Sequence, residues 1–302
     1  MGKKTKVALA IAAASAAIWA GSKAVVKPQK RQTKNLLQGK PLIFAHRGGA
    51  HLAPEHSILA FDKAAELGVD GFYVDLRLTK DEEIIAFTDE TLERTSTAIG
   101  FVKDFTLAEL QEINFGVKFE DLEGHQPFAN EQISVATLQE ILQKYQDKKF
   151  ILNIQDSPDT YEGSLIPSKL WRIIEEFNLA PQVVVTSPYN EQIERFNLYA
   201  QNQIVLGAGE GEATKAYTSF TSQFGHLFSP KADVFIVPTK SALILFDSAK
   251  FMQFLNGLNV AIFFKEVNDL VAMSRLLRTG SQGIITDRPD LAQPVLLKYK
   301  EA

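Results

Sequence analysis

The 302-residue chain is 45% hydrophobic and 23% charged, with a formal charge of −4 that offers no general attraction for nucleic acid. It contains no cysteine, which excludes disulfides, thiolate metal sites and a lipid-modified cysteine anchor. The length suits one α/β barrel of about 250 residues behind a short leading segment, and no second domain is needed.

Residues 1–26 read as a signal or anchor segment. Lys3, Lys4 and Lys6 precede an uncharged run from Val7 to Ser22, and a basic start before an apolar core is the pattern of a secretory signal or signal anchor. The run is shorter than the roughly 20 residues that cross a bilayer core, and Lys23 can snorkel to extend it through Val26. Three readings stay open: an uncleaved membrane anchor with the barrel extracytoplasmic, a cleaved signal and a secreted protein, or an interfacial helix. Basic residues flank both ends of the run, so charge orients it only weakly. Residues 27–40 read as a polar linker, and residues 41–302 as the barrel domain.

From Pro41 onward short apolar runs alternate with amphipathic stretches, the pattern of βα units around a parallel sheet. Strands are expected at 42–46, 71–76, 84–88, 150–154, 183–187, 233–237, 260–264 and 283–286, enough to close a TIM-type (β/α)8 barrel. Residues 204–206 compete with 233–237 for the sixth position. Helices are expected at 57–67, 134–144, 167–177, 190–199, 249–255 and 269–278. The stretch from 93 to 132 breaks the alternation after the third strand and reads as a small insertion over the mouth.

The first strand ends in His46-Arg47-Gly48, which puts an imidazole and a guanidinium at a strand's carboxyl end, where barrels build their sites. Pro54-Glu55, Gly68-Val-Asp-Gly, Asp75, Leu78-Thr-Lys-Asp, Asp89-Glu-Thr-Leu-Glu-Arg-Thr and Gly283-Ile-Ile-Thr-Asp-Arg-Pro follow in order. Together these segments resemble the glycerophosphodiester phosphodiesterase family over residues 41–296. The resemblance implies a barrel enzyme that cleaves glycerophosphodiesters to an alcohol and glycerol phosphate, using two histidines and one divalent cation, usually calcium or magnesium.

The chemistry explains such a set. A phosphodiester builds negative charge in its transition state, which a hard cation and an arginine stabilise, while acid and base groups serve opposite sides of phosphorus. By the resemblance, His46 matches the first catalytic histidine, Arg47 the phosphate-contacting arginine, and Glu55 the glutamate of the first loop. Asp75 matches one metal ligand. Tyr73 stands where a metal-binding glutamate is expected, Thr88 where the second histidine is expected, and Gln155 where another metal carboxylate is expected. Ser157 replaces a phosphate-binding lysine, and Lys265-Glu266 replaces an aromatic wall of the pocket.

Other readings of these residues stand beside the resemblance. Asp75 can pair with Arg47 or Arg77 instead of a metal, Glu55 can serve the helix that starts near Ser57, and Tyr73 can occlude the cation position. Asp156 adjoins Gln155 and faces the opposite way by strand alternation. His51, His56, His125 and His226 read as surface histidines. The expectation is therefore a membrane-anchored, catalytically impaired family member that binds a glycerophosphate-type ligand or a protein partner, with no cofactor. The alternative is an active hydrolase of glycerophosphodiesters or glycerol-phosphate polymers with a non-standard site and one calcium or magnesium ion.

Overall fold

The computed structural model describes residues 19, 21–23, 25–241 and 244–300, so most of the expected signal or anchor segment lies outside the described residues. No helix among the described residues is long and apolar enough to cross a membrane. The strands are β1 (Leu42–His46), β2 (Gly71–Leu78), β3 (Ile84–Ala86), β4 (Lys149–Ile154), β5 (Val183–Thr186), β6 (Val205–Leu206) and β7 (Val234–Val237), then β8 (Lys240–Ser241), β9 (Ile244–Leu245), β10 (Ala261–Phe264) and β11 (Gly283–Thr286). Eight of them run parallel in the order β6-β5-β4-β2-β1-β11-β10-β7, and a parallel bridge from Gly207 to Val234 joins the two end strands. That is the expected (β/α)8 architecture.

Two strand assignments change. Ile84–Ala86 is not a barrel stave; it folds back antiparallel on Leu76–Leu78. The reversal is made at Thr79–Glu83, where Thr79 N bonds Glu83 O and Glu82 takes a φ of +63°. So short a connection can only make a hairpin, since a parallel crossover takes a dozen residues or more. The vacated place is filled because Val205–Leu206 and Val234–Val237 are both staves and do not compete.

Alternation along the staves sorts the core into two layers. Inside the barrel, Leu42, Phe44, Tyr73, Ile151, Val184, Val205, Val234, Phe263 and Ile285 pack together, and Leu36 joins them. A larger cluster lies between the staves and the outer helices. Residues ahead of β1 are tied to the barrel: Arg31 Nε donates to Asp233 Oδ1 at 2.8 Å, and Asn259 Nδ2 donates to Arg31 O at 3.0 Å.

Helices follow most of the staves, many with a side-chain cap at the start. Ser57 caps Ile58–Glu66, Asp269 caps Leu270–Thr279, and Thr137 with Glu140 makes a full capping box ahead of Leu138–Lys144. Tyr161–Glu176 begins before the expected residue 167 and carries Pro167 inside it. Proline lacks the N–H that would satisfy the carbonyl one turn earlier; Gly163 O instead accepts from Gln192 Nε2 at 2.9 Å. Helices at Glu210–Thr221 and Pro289–Lys300 were not expected from the sequence. Between the β3 arm and the helix at Leu138, the chain forms its own apolar cluster of Ile85, Phe87, Leu92, Val102, Leu110, Phe115 and Val135. This segment sends Arg94 to the edge of the mouth.

Candidate active site

Above the apolar layer, the inward positions of the staves become polar. His46 follows Phe44 on β1, Asp75 follows Tyr73 on β2, Asn153 follows Ile151 on β4, and Thr186 follows Val184 on β5. The chain leaves β1 through Arg47, Gly48 and Gly49, with φ of +53°, +81° and +91° in succession. A Cβ on Gly48 would stand 2.8 Å from Ala60 Cβ, so only glycine lets the helix beginning at Ile58 pack against this turn. Arg47, whose φ is costly for a side-chain-bearing residue, is held by Arg47 N to Tyr73 O and His56 N to Arg47 O, each 2.9 Å.

His46 is 4% exposed. Its Nδ1 lies 2.7 Å from Asp287 Oδ1, while Asp287 Oδ2 accepts from Asn268 Nδ2 at 2.8 Å. Asn268 Oδ1 accepts in turn from Thr286 Oγ1 and Asp287 N. Burial pushes the Asp287 carboxyl up, but His46 and Asn268 hold it below the usual range. An ionised carboxylate only accepts, so Nδ1 carries a proton and Nε2 has the lone pair when the ring is neutral. Tyr73 meets the imidazole edge-on, with ring centroids 5.1 Å apart.

Asp75, 1% exposed, is surrounded by donors. Oδ1 accepts from Asn153 Nδ2 and Gln155 Nε2, both at 2.6 Å. Oδ2 accepts from Thr88 Oγ1 at 2.7 Å and Arg47 Nε at 3.1 Å. Burial raises its pKa, yet His56 and Arg47 hold the carboxyl well below the usual range. Glu55 accepts from Arg47 Nη1 at 3.2 Å and from both terminal nitrogens of Arg94 at 3.0 and 2.6 Å. Burial opposes ionisation here too, but the two arginines lower Glu55 to about 2.

His56 corrects the surface reading: it is 4% exposed, with Nε2 3.1 Å from Thr88 Oγ1 and 3.5 Å from Asp75 Oδ2. Burial depresses its pKa against the pull of Asp75. Thr88 spends its one proton on Asp75, so the neutral His56 donates from Nε2; Nδ1 is left buried without a partner among the described residues. An imidazole from the first loop thus leans on the residue that stands at the expected second-histidine position. Nothing in the spacing of Glu55-His56-Ser57 announces this, because the pairing runs between the β1 loop and the end of the β3 arm.

A cavity of about 610 Å³ opens over the polar layer, lined by His46, Arg47, Tyr73, Asp75, Asn153 and Gln155 on one side. Thr186, Ile236, Lys240, Phe246, Lys265 and Glu266 line the other. Five of the expected site positions therefore meet in one space, while Glu55 and Thr88 stand behind Arg47 and Asp75. Asn153 joins them at the lining, while His56 stands behind Thr88 and Asp287 behind His46, although sequence reading gave none of the three a role at the mouth. Asp156 faces away as expected and pairs with Arg77 Nη1 at 2.9 Å.

A divalent cation does not fit this donor set. Calcium takes six to eight oxygens and magnesium a near-ideal octahedron, but both Asp75 oxygens already accept from side chains and both Glu55 oxygens from arginines. No group of three or more His, Cys, Asp or Glu side chains among the described residues could hold a metal.

Residues 46–291 match the model of the glycerophosphoryl diester phosphodiesterase family. The chain is similar to a glycerophosphodiester phosphodiesterase of Caldanaerobacter subterraneus subsp. tengcongensis, 33% identical over 83% of this chain and 96% of the relative. A glycerophosphodiester phosphodiesterase of Bacillus subtilis is 28% identical over 91% of this chain and 94% of its own. The fold resembles the glycerophosphoryl diester phosphodiesterase domain of a Mycobacterium tuberculosis protein, with a TM-score of 0.73 at 16% identity over 85% of this chain and all of that one. It also resembles an Oleispira antarctica phosphodiesterase solved with the product sn-glycerol-3-phosphate, with a TM-score of 0.65 at 16% identity over 87% of this chain and 98% of that one. The chain belongs to the glycerophosphoryl diester phosphodiesterase family.

Proposed function

We propose that the chain binds a glycerophosphate-bearing ligand in the mouth cavity, and that the family's metal-dependent hydrolysis is impaired in it. The observation that carries the reading is the state of Thr88. Displacement at phosphorus needs one group to take a proton from the attacking oxygen and another to protonate the leaving one. His46 Nε2 is suited to one of these tasks, because Asp287 fixes the other ring nitrogen. Thr88, at the position of the second imidazole, is a hydroxyl committed to Asp75 at 2.7 Å. Loss of one acid or base alone lowers a rate by about 10²–10⁴. Retention of His46 and Arg47 on one cavity wall supports ligand binding, as does the glycerol phosphate found in the Oleispira relative.

The basic start and uncharged run of residues 1–26 support attachment to a membrane, with the barrel on the extracytoplasmic side. Slow hydrolysis is the second reading, favoured by the intact His46–Asp287 pair. The experiment is release of glycerol phosphate from glycerophosphodiesters by the full chain, alongside calorimetric titration with glycerol phosphate. Binding without metal-dependent turnover is the expected result. Turnover that needs calcium and is abolished by His46→Ala would replace this reading with the second.

A further inference from the structure

We infer that this mouth takes its anionic ligand without a divalent cation, the Arg47 guanidinium supplying the fixed positive charge that the family resemblance assigns to a metal. The inference rests on the ligand reading above and adds what answers the phosphate charge.

The geometry around Arg47 carries it. Its Nε donates to Asp75 Oδ2 at 3.1 Å and its Nη1 to Glu55 Oε2 at 3.2 Å, so the guanidinium lies between the two carboxylates. A metal ion reaching for both would meet that guanidinium and be repelled by it. Withdrawing Arg47 would not free Asp75 either, because Thr88, Asn153 and Gln155 still donate to it at 2.6–2.7 Å. Turning either amide to offer its carbonyl oxygen would set two acceptors 2.6 Å apart, and pulling Asn153 away would leave a buried donor unpaired. The carboxylate that an ion needs is therefore engaged by the chain itself.

Arg47 is also prepared to receive an anion. Backbone hydrogen bonds at both ends of the residue hold its left-handed conformation. Its Nη2 makes no hydrogen bond among the described residues, and the residue lines the cavity beside His46. A planar guanidinium matches phosphate oxygens in geometry as well as charge. Lys240 and Lys265 line the same cavity, but so do Asp75, Glu210 and Glu266, so attraction for an anion comes from the directed N–H groups of Arg47 at close range and not from net charge.

The test uses the full chain stripped with EDTA. Thermal midpoints and calorimetric affinities are measured for glycerol phosphate and for inorganic phosphate, with and without millimolar calcium or magnesium. Equal stabilisation by glycerol phosphate in EDTA and in calcium, with no midpoint rise from either metal alone, is the expected result. Arg47→Gln should weaken binding in EDTA by about tenfold or more, as loss of a charged hydrogen bond does. Should that variant not fold, Gln155→Glu serves instead: a second carboxylate beside Asp75 should give a calcium-induced rise in midpoint that the native chain lacks. Binding that requires calcium, or a native chain that calcium alone stabilises through mass action, overturns this inference and leaves the ligand reading standing. No binding of glycerol phosphate in either buffer overturns both.

Discussion

The two sides of the barrel mouth each hold a buried carboxylate, and they use it in opposite ways. On the β1–β11 side, Asp287 stands behind His46 and gives the ring an orientation, so that one nitrogen is fixed and the other remains available. On the β2–β4 side, Asp75 itself reaches the cavity, but Thr88, Arg47, Asn153 and Gln155 take up both of its oxygens. The first carboxylate acts through a neighbour that can meet a ligand; the second closes a network on itself. Retention of a residue type at a site is thus a different matter from retention of its chemistry. What decides is whether the atom that would react still has a free lone pair or proton.

Substitutions at the two carboxylates should separate these roles, and the largest effect is expected at the closed side. Asp75→Ala leaves the buried Asn153 amide and the Thr88 hydroxyl without their acceptor and the half-buried Arg47 with Glu55 alone, and should destabilise the fold by about 3–5 kcal/mol, read from the denaturant midpoint. An effect below that of Asp287→Ala would break the comparison. The acid limb of stability comes next. Glu55 is depressed to about 2, and Asp75 and Asp287 are also held below their ordinary values. The unfolded chain therefore binds more protons than the folded one over this range, so these groups contribute fully above about pH 4.5 and lose their contribution as pH falls toward 2. Glu55→Gln should flatten that limb and lower neutral-pH stability by on the order of 2 kcal/mol; an unchanged acid midpoint would argue that the Arg47–Glu55–Arg94 clamp is worth little in solution.

Smaller effects sharpen the contrast. Asp287→Ala leaves His46 Nδ1 and Asn268 Nδ2 without their acceptor, for about 1–2 kcal/mol, but should weaken glycerol phosphate binding more than its stability cost suggests, because the imidazole loses its orientation. Thr88→Val keeps the shape but removes both the hydrogen bond to Asp75 and the acceptor of His56 Nε2, for about 1–2 kcal/mol, with binding unchanged. Calorimetry on the two variants should find affinity moving only with Asp287.

Much of the fold was legible because its signals are local. Alternating apolar runs marked seven staves, and Ser57 and Asp269 marked helix starts, whereas the helix expected from residue 134 begins at Leu138 behind its Thr137 cap. Errors arose where local cues misled. The two-residue strand Val205–Leu206 is too short to show a period. Pro167 read as a helix start although Gln192 supplies the missing partner from another helix. The β3 arm has the composition of a stave, and only the brevity of Thr79–Glu83 betrays the hairpin. At the site, the places of His46 and Arg47 were readable from the end of their strand, whereas Asp75, Tyr73, Thr88 and Gln155 stood out through the family resemblance. The burial of His56 and the donation by Asn153 to Asp75 were legible from neither, since each joins residues from separate segments whose meeting depends on the closed barrel.

The most direct measurement compares calcium-dependent release of glycerol phosphate from a glycerophosphodiester by the native chain and by the triple variant Tyr73→Glu, Thr88→His, Gln155→Glu. If the native barrel is family-like apart from its closed carboxylate corner and its missing imidazole, the native chain shows no calcium-dependent release and the folded triple variant gains it by about 10²-fold or more. A native chain that already turns over with calcium, or a folded triple variant as inert as the native chain, would contradict the account.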